Sequence, residues 1–379
     1  MNQAKHNPYL DGVRGIAILM VIGYHYFTGF YIFDFGWIGV DLFFVLSGYL
    51  LSGRLYPFLQ DRKLLYKFYR NRFLRIVPLF YIFLAVFFLF WFGMTSKATA
   101  DSMPLYRTYI PGFFGFTANW IFIITPRDSF VHLNHLWSLA VEEQFYIVFP
   151  LLVILIRDKK RLLYSGLALL VIILLCRCLY YYYHPDEDHE LYIYWNSFFR
   201  ADSFLTGFVL YMALQNGFGT FLKKYAALIA MLAGIVIIAG GIAGHSFRLN
   251  AFFVTAGFTA IAVLCACLVF YAGTEIQTPL LKILSSPFIR YSGKISYGLY
   301  IFHWPVYLFG FTAVHFLLGK AGWSPGPVTV QLINACVSLI LSYLLSILSF
   351  HYLESYFLKW KISPVAKPAE KKAQINESS

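Results

Sequence analysis

Charged side chains are scarce in this chain of 379 residues. Lysine, arginine, aspartate and glutamate make up 13% of the sequence, whereas hydrophobic residues make up 59% and aromatic residues 20%. Soluble domains are typically about 25% charged. No polar block is long enough for a second, soluble domain. The composition therefore excludes a soluble globular protein and predicts an all-α polytopic membrane protein built as one domain.

Acidic residues are the scarcer of the charged types, and the formal net charge is +12. Such a charge can indicate nucleic-acid binding, but basic loops on one side of a membrane explain it more simply. We therefore expect membrane lipid, and no nucleic acid, among the partners.

Cysteine is also rare. The five cysteines all fall inside apolar runs, and the two C-x-C pairs, at 176–178 and 265–267, have no nearby histidine or cysteine to complete a metal site. An odd number of cysteines in lipid-embedded helices does not suggest a disulfide framework. We interpret them as packing residues and expect no metal.

Long apolar runs are abundant and approach or exceed the roughly 20 residues that a membrane-spanning helix needs. The predicted spans are 12–33, 36–53, 76–94, 136–156, 162–183, 198–215, 225–243, 249–271, 295–318 and 328–350. The run at 113–125 is too short and fits a re-entrant or surface-lying segment. We predict a bundle of about ten transmembrane helices over residues 1–358, and a polar, disordered cytoplasmic tail over 359–379.

The distribution of lysine and arginine predicts the orientation of the chain. Of the 30 basic residues, 23 fall on the side that carries both termini. Because basic residues are enriched in cytoplasmic loops, both termini are expected to be cytoplasmic. The first apolar run has no small-residue cleavage site, so we interpret it as a retained helix.

Two polar residues stand out in the first span. Arg14 and His25 are eleven positions apart, which turns a helix by about 1100° and places both on one face, roughly 16 Å apart along the axis. One can therefore lie at a membrane surface while the other lies near mid-bilayer. An ionisable group at that depth is costly and is a functional-site candidate.

The second span carries Asp41 and Ser47 among small and apolar residues. Gly39, Gly48 and Gly53 are expected to let neighbouring helices approach closely. For Asp41, a solvated or structurally paired carboxylate is as good an interpretation as a catalytic one.

The most basic stretch, residues 54–75, precedes the third span. It predicts a cytoplasmic amphipathic segment whose basic side chains meet anionic lipid headgroups. Arg72 and Arg75, at i and i+3 on one face, also suit the phosphate groups of a cytosolic ligand. Both interpretations remain open on spacing alone.

The fourth span carries a polar stripe that consists of His135, Ser138, Glu142 and Tyr146. Glu143 shares its face with apolar residues, so Glu142 is the better candidate for a carboxylate that faces a cavity. A structural ion pair with an arginine is the alternative. In the sixth span, Arg200 and Asp202 could form a local pair.

In the ninth span Tyr300 and Trp304 are i, i+4 neighbours, and Pro305 can kink the helix and free a carbonyl where a cavity is lined. His303 has two interpretations: it can line that cavity, or it can only satisfy the freed carbonyl.

Taken together, these motifs resemble the acyltransferase-3 family of integral-membrane acyltransferases over nearly the whole chain. The matching motifs are Arg14-x10-His25, GVDLFFVLSGYLL at 39–51, Arg72-x-x-Arg75, WSLAVEEQFY at 137–146 and SYGLYIFHWP at 296–305. The resemblance implies an enzyme in a bacterial-type cytoplasmic membrane. It would move an acyl group, usually acetyl, from cytosolic acyl-CoA to a hydroxyl of a sugar or related acceptor.

The resemblance also implies roles for individual residues. It makes His25 the catalytic residue and Arg14 its motif partner, Arg72 and Arg75 essential basic residues, and Glu142 the motif glutamate. The residues expected to bind substrate or line the cavity are Asp41, Ser47, Trp137, Ser138, Tyr146, Tyr297, Tyr300 and His303. Some relatives add an extracytoplasmic hydrolase-like domain that this sequence does not contain, so we expect the protein to act alone or with a separate extracytoplasmic transferase.

An imidazole that titrates near neutrality suits the general base of an O-acylation, and His25 could alternatively carry the acyl group as an intermediate. We expect Glu142 to orient the imidazole, and Arg14, Arg72 and Arg75 to hold the phosphates of acetyl-CoA. Two other classes remain. A proton-coupled transporter or flippase of an envelope precursor would carry similar intramembrane charges, whereas a receptor or scaffold would leave the buried Glu142 and His25 unexplained.

Overall fold

The computed structural model describes residues 7–55, 64–93, 97–126, 128–244 and 250–362, and every regular element in these ranges is helical. The α-helices are α1 (Pro8–Tyr26), α2 (Ile38–Leu55), α3 (Leu64–Gly93), α4 (Lys97–Phe114), α5 (Ala118–Ile124), α6 (Leu136–Ile156), α7 (Lys159–Tyr183), α8 (Ser197–Gln215), α9 (Gly219–Ala243), α10 (Phe258–Thr274), α11 (Pro279–Leu284), α12 (Pro287–Lys294), α13 (Ser296–Lys320), α14 (Pro327–Leu348) and α15 (Ser355–Leu358). Short π-helical segments lie at Glu190–Tyr194, Phe253–Gly257 and Ser349–Glu354.

Eight helices of the described chain are long and apolar enough to cross a membrane. They correspond to eight of the ten predicted spans. The predicted spans 12–33 and 198–215 correspond to α1 and α8, which have 19 residues each and carry charged side chains inside the bundle. Helices α7, α9 and α14 expose large apolar side chains, such as Leu175, Ile235 and Ile340. The all-α, multi-pass membrane fold predicted from composition is therefore confirmed.

Helix α2 lies at the centre and packs closely against α1, α8 and α10. A Cβ atom on Gly48 would lie 2.0 Å from the carbonyl oxygen of Phe204, and one on Gly207 would lie 1.9 Å from that of Val45. These distances are shorter than any van der Waals contact, so glycine is required on both faces of the α2–α8 contact.

The basic segment continues directly into the third span. Helix α3 is one helix of 30 residues that includes Arg72, Arg75 and Pro78. From Leu64 onward the basic segment and the span form one helix, because no glycine or proline between Leu64 and Pro78 ends the helix where charged residues give way to apolar ones. The cytoplasmic, amphipathic character of the segment stays a prediction. Residues 56–63, also part of that prediction, lie outside the described residues.

The segment before α6 folds as two helices, and α5 has only seven residues. At about 1.5 Å per residue it is roughly 10 Å long, too short to cross a membrane. Excluding a span at 113–125 was correct, but α4 was not predicted, since Pro104 and Pro111 lie inside it.

Two fully buried ion pairs connect α2, α7 and α8. Arg177 donates to Asp202 Oδ2 at 2.6 Å, and Arg200 is paired with Asp41, which also accepts a hydrogen bond of 2.8 Å from Ser203 Oγ. The predicted local pair of Arg200 with Asp202 is therefore wrong. Arg200 instead pairs with a residue of α2, and Asp202 with a residue of α7.

The chain after α15 is held against α3. Asn71 Nδ2 donates to the carbonyl oxygen of Ile362 at 2.8 Å, and the backbone N–H of Ile362 donates to Asn71 Oδ1 at 2.8 Å. The rest of the predicted tail, residues 363–379, lies outside the described residues.

Candidate active site

Three cavities follow one another through the bundle. The first, here called the basic vestibule, has a volume of about 1140 Å³ and opens near the beginning of α1. The second, the carboxylate cavity, contains Glu142 and has a volume of about 80 Å³. The third, the histidine cavity, contains His25 and has a volume of about 280 Å³.

Shared wall residues show that the cavities adjoin. The basic vestibule and the carboxylate cavity share Arg14, Leu50, Arg54, Arg75 and Tyr297. The carboxylate and histidine cavities share Val40 and Tyr300. Arg14 and His25, on one face of α1, therefore lie at the two ends of this series, as the helical spacing predicted.

The basic vestibule has more basic than acidic side chains on its wall. The basic ones are Arg14, Arg54, Arg75, Arg290 and Lys294, and the acidic ones are Asp11, Glu275 and Glu354. Arg14 donates to Asp11 at 2.9 Å. Neither Arg54 nor Arg75 forms an ion pair with a carboxylate of a described residue.

The positive potential of this cluster reaches beyond its wall. Lys361 follows α15, and burial together with the neighbouring guanidinium groups of Arg75 and Arg54 lowers its pKa to about 7. Burial contributes most to this lowered pKa, and the guanidinium groups of the vestibule add to it.

Glu142 accepts three hydrogen bonds in the carboxylate cavity. Ser47 Oγ and Tyr146 Oη each donate to Glu142 Oε1 at 2.6 Å, and Arg72 donates at 3.1 Å. Of the predicted stripe, Ser138, Glu142 and Tyr146 line this cavity. His135, which precedes the first turn of α6, lines the histidine cavity instead.

Arg72 contacts both adjacent carboxylates, those of Glu142 and Glu143. Its guanidinium also reaches Glu143 Oε1 at 3.4 Å and lies 3.3 Å from the ring centroid of Tyr146. Glu143 was expected on an apolar face, but the length of the arginine side chain lets one guanidinium contact both adjacent carboxylates. The alternative interpretation, in which Glu142 forms a structural ion pair, therefore describes the observed contacts.

Aromatic rings and acidic groups form the wall of the histidine cavity. The aromatic residues are Tyr24, Trp37, Trp137, Tyr194, Trp195, Tyr300 and Trp304. Asp34 and Glu190 also line this cavity, and none of the described residues on its wall is a lysine or an arginine. Wide apolar rings with a few polar groups are typical of a binding site for a small organic molecule.

The imidazole of His25 lies between two residues of α13. Its ring centroid is 4.8 Å from that of Trp304 and 5.1 Å from that of His303. His25 Nδ1 is 3.2 Å from His303 Nε2 and 3.0 Å from the carbonyl oxygen of Val21.

Tyr300 separates the carboxylate cavity from the histidine cavity. Its hydroxyl donates to the carbonyl oxygen of His135 at 3.0 Å and is hydrogen-bonded to Ser138. One turn earlier, Tyr297 donates to the carbonyl oxygen of Ile76 at 2.7 Å. These bonds fix α13 against α6 and α3 on either side of the passage.

A comparison with known families agrees with this architecture. The sequence profile described as "Acyltransferase domain" matches residues 7–348, most of the chain. The chain belongs to the acyltransferase-3 family. The resemblance inferred from the motifs is therefore confirmed.

Similar proteins carry related descriptions. The chain is 30% identical over 320 residues to the peptidoglycan O-acetyltransferase OatA of Listeria monocytogenes, which covers 80% of this chain and 49% of that protein. It is 27% identical over 400 residues to the O-acetyltransferase OatA of Staphylococcus aureus, covering 99% of this chain and 61% of that protein. The chain thus spans about half to three fifths of the length of these relatives. No solved structure matches it.

Not every residue carried over from the acyltransferase motifs lies where it was expected. Asp41 and His303 are fully buried and line none of the three cavities. Asp41 is neutralised by Arg200 in the protein core. Glu142 Oε1 faces Ser47, Tyr146 and Arg72, while His25 lines the next cavity, so the carboxylate is directed toward Arg72 rather than the imidazole.

Several lining residues were not predicted. Arg54 was counted only within the basic stretch, although it ends α2 on the same side as Arg14 begins α1. Asp34, Trp37 and Glu190 come from segments that contain no family motif. Their clustering depends on how α1, α2 and the segment before α8 meet, and no local spacing signals that contact.

Proposed function

We propose that this protein is a membrane O-acyltransferase that moves an acyl group, most simply acetyl, from acyl-CoA to a hydroxyl of a sugar or cell-envelope glycan. The observation that carries the proposal is the series of adjoining cavities, with an excess of basic side chains at one end and a histidine among aromatic rings at the other. Family membership supports the same reaction class.

The donor would enter through the basic vestibule. Arg54 and Arg75 form no ion pair with a carboxylate of the described residues, and guanidinium groups suit the phosphates of coenzyme A. Arg14 would add a third contact. Arg72 was expected to join them, but its ion pairs with Glu142 and Glu143 favour a role in shaping the passage. The narrow carboxylate cavity would admit only the extended arm that carries the thioester.

The acceptor would occupy the histidine cavity. Trp37, Trp137 and Trp304 offer flat apolar surfaces for the faces of a sugar ring, and Asp34 and Glu190 offer acceptors for its hydroxyl groups. The Listeria relative is described as a peptidoglycan O-acetyltransferase. An envelope glycan is therefore the acceptor class that we propose.

His25 would act at the acyl carbon. As general base it takes the proton of the acceptor hydroxyl while the oxygen attacks the thioester carbonyl, and the sulfur then leaves with a proton from the imidazolium as the C–S bond breaks. The products are the ester and free CoA thiol. In the alternative sequence, the imidazole carries the acyl group until the acceptor arrives.

The asymmetry of basic residues supports a cytoplasmic vestibule, with both termini on that side of a bacterial cytoplasmic membrane. The histidine cavity would then open toward the outer side, where the glycan lies. A separate extracytoplasmic transferase could receive the acyl group there and complete the transfer.

The test is transfer of radiolabelled acetyl from acetyl-CoA by the purified full-length chain in nanodiscs, with muropeptides or envelope oligosaccharides as acceptors. We expect free CoA and labelled acceptor from the wild type, and neither from His25→Ala. His315→Ala, at an exposed position of the same α13 that carries His303, is the matched control and should retain full activity.

Two results would contradict the proposal. An active His25→Ala variant would remove the histidine from the mechanism. Movement of a solute across the membrane without covalent change would favour the transporter or flippase.

A further inference from the structure

His303 is buried next to His25, the candidate catalytic histidine. It is 0% exposed and lies on α13 two residues before Pro305. One interpretation of a histidine at this place in the sequence is that it only donates a hydrogen bond to the carbonyl that Pro305 leaves without a helical donor. The structure tests that interpretation, because this carbonyl belongs to Ile301, four residues before the proline.

The freed carbonyl has a different partner. His135 Nε2, at the beginning of α6, lies 3.1 Å from the carbonyl oxygen of Ile301. A carbonyl oxygen only accepts, so this nitrogen carries the proton and donates. His303 is therefore not needed at Ile301, and its own ring nitrogens are directed elsewhere.

The surroundings of His303 determine its tautomer. Its Nδ1 lies 2.7 Å from the carbonyl oxygen of Tyr300 and 3.2 Å from that of Leu299. Two acceptors around one ring nitrogen require a proton on that nitrogen. In the neutral imidazole the lone pair is then on Nε2, the atom that faces His25.

The same reasoning applies to His25. Its Nδ1 lies 3.0 Å from the carbonyl oxygen of Val21 and 3.2 Å from the lone pair of His303 Nε2. Both of these contacts of Nδ1 are with acceptors, so the proton of a neutral His25 belongs on Nδ1. The opposite tautomer would direct a lone pair at two other lone pairs.

We infer that His303 is a positioning residue that, together with the Val21 carbonyl, holds His25 in the Nδ1–H tautomer and leaves the basic lone pair on Nε2. The catalytic consequence rests on the proposed function, since Nε2 would be the atom that takes the acceptor proton. The hydrogen-bond assignment itself does not depend on the reaction.

The direct test is nitrogen-15 NMR of the full-length chain labelled at its histidines and reconstituted in lipid. His25→Gln identifies the His25 signals by their loss. In the wild type we expect a protonated Nδ1 and an unprotonated Nε2. In His303→Leu the Nδ1 signal should shift and the Nε2–H tautomer should become detectable, and His303→Gln, whose amide oxygen can accept, should restore much of the wild-type signal.

Kinetics supply the second measurement. His303→Leu should lower kcat by up to about 10⁴-fold, the loss that the wrong histidine tautomer causes in a Ser-His-Asp triad, whereas KM for acetyl-CoA and acceptor should change little. His303→Gln should recover part of kcat. His132→Gln is the matched control, because His132 packs against Trp91 and Phe309 and none of these three residues lines the histidine cavity. It should leave both the spectrum and the rate unchanged.

The outcomes separate the inference from the proposed function. A wild-type His25 with its proton on Nε2, or a His25 spectrum that does not change in His303→Leu, overturns the inference. If His303→Leu does not fold, the wild-type and His303→Gln spectra still decide. If the spectra change as expected but no preparation transfers acetyl groups, the proposed function fails while the assignment of the hydrogen bonds stands.

Discussion

At the scale of single residues, the carboxylate cavity is organised by one guanidinium. Arg72 lies between Glu142 and Glu143, and these three side chains are only 12–17% exposed. Two adjacent carboxylates in so little water repel each other unless a cation lies between them. Arg72 therefore has a structural role that is separable from any contact with a ligand.

A set of substitutions can separate the two roles. Arg72→Met should destabilise the protein by about 3 kcal/mol, since it leaves two partly buried, adjacent carboxylates without the cation between them. Arg72→Met combined with Glu142→Gln and Glu143→Gln should recover most of this stability, because no uncompensated charge remains. Thermal unfolding in detergent measures both. If the triple variant is as unstable as Arg72→Met alone, repulsion between the carboxylates is not the cause.

Arg54 should behave differently, because no described carboxylate pairs with it. We expect Arg54→Ala to weaken acetyl-CoA binding by about tenfold, the loss of one charge-assisted phosphate contact, with little change in stability. The loss should shrink at high salt. Arg161→Ala removes an exposed arginine at the beginning of α7 and is the matched control. Isothermal titration with CoA measures the affinity of both variants. Equal binding by Arg54→Ala and wild type would exclude Arg54 from the donor site.

Helical periodicity and long-range pairing differ in how far the sequence predicts them. The face shared by Ser138, Glu142 and Tyr146 follows from a repeat of 3.6 residues, and the structure places all three on one cavity. Arg200 was paired with Asp202, two positions away, whereas it contacts Asp41, 159 positions away. That partner depends on the packing of α2 against α8, which no local pattern encodes.

At the scale of elements, the contact between α2 and α8 is one of the close helix contacts of the bundle, and α2 also carries Ser47 to the carboxylate cavity. Gly207→Ala would place a methyl group 1.9 Å from the carbonyl oxygen of Val45 and force the helices apart. We expect a loss of about 1 to 3 kcal/mol, the usual cost of overpacking, together with reduced activity because Ser47 moves away from Glu142.

Gly234→Ala in α9 is the control for this substitution. A Cβ atom there would have no atom of a described residue within 4 Å, so the change should be neutral or should stabilise the helix by up to about 1 kcal/mol. Thermal unfolding of the two variants side by side measures the difference. Equal melting temperatures would show that the α2–α8 contact tolerates a methyl group.

The boundaries of elements were predicted least well where charge and apolarity change along one helix. Composition separates the basic residues of α3 from the membrane span that follows them. The helical backbone hydrogen bonds nevertheless continue through both parts. The consequence is functional, because a continuous helix carries Arg72 and Arg75 into the bundle instead of onto a membrane surface. The composition of a segment indicates whether each helical turn faces water or apolar surroundings, but it does not indicate where the helix ends.

At the scale of the whole molecule, the cavities give the bundle two distinct ends. Tyr211, near the end of α8, lines the basic vestibule, so the exposed Lys223 at the beginning of α9 belongs to that end. Glu190 lines the histidine cavity, so the exposed Asp186 nearby belongs to the other end. The two positions therefore report which end faces the cytoplasm.

The orientation can be measured in intact cells with a membrane-impermeant maleimide. In a background without the five native cysteines, Asp186→Cys should react in intact cells, whereas Lys223→Cys should react only after the membrane is permeabilised. This result is expected because the excess of lysine and arginine lies at the vestibule end and such residues stay on the cytoplasmic side. The same result is required for a cytosolic acyl-CoA to reach Arg54 and Arg75. Labelling of Lys223→Cys in intact cells would place the arginines outside, where no acyl-CoA pool could supply them, and both the orientation and the proposed donor would have to be abandoned together.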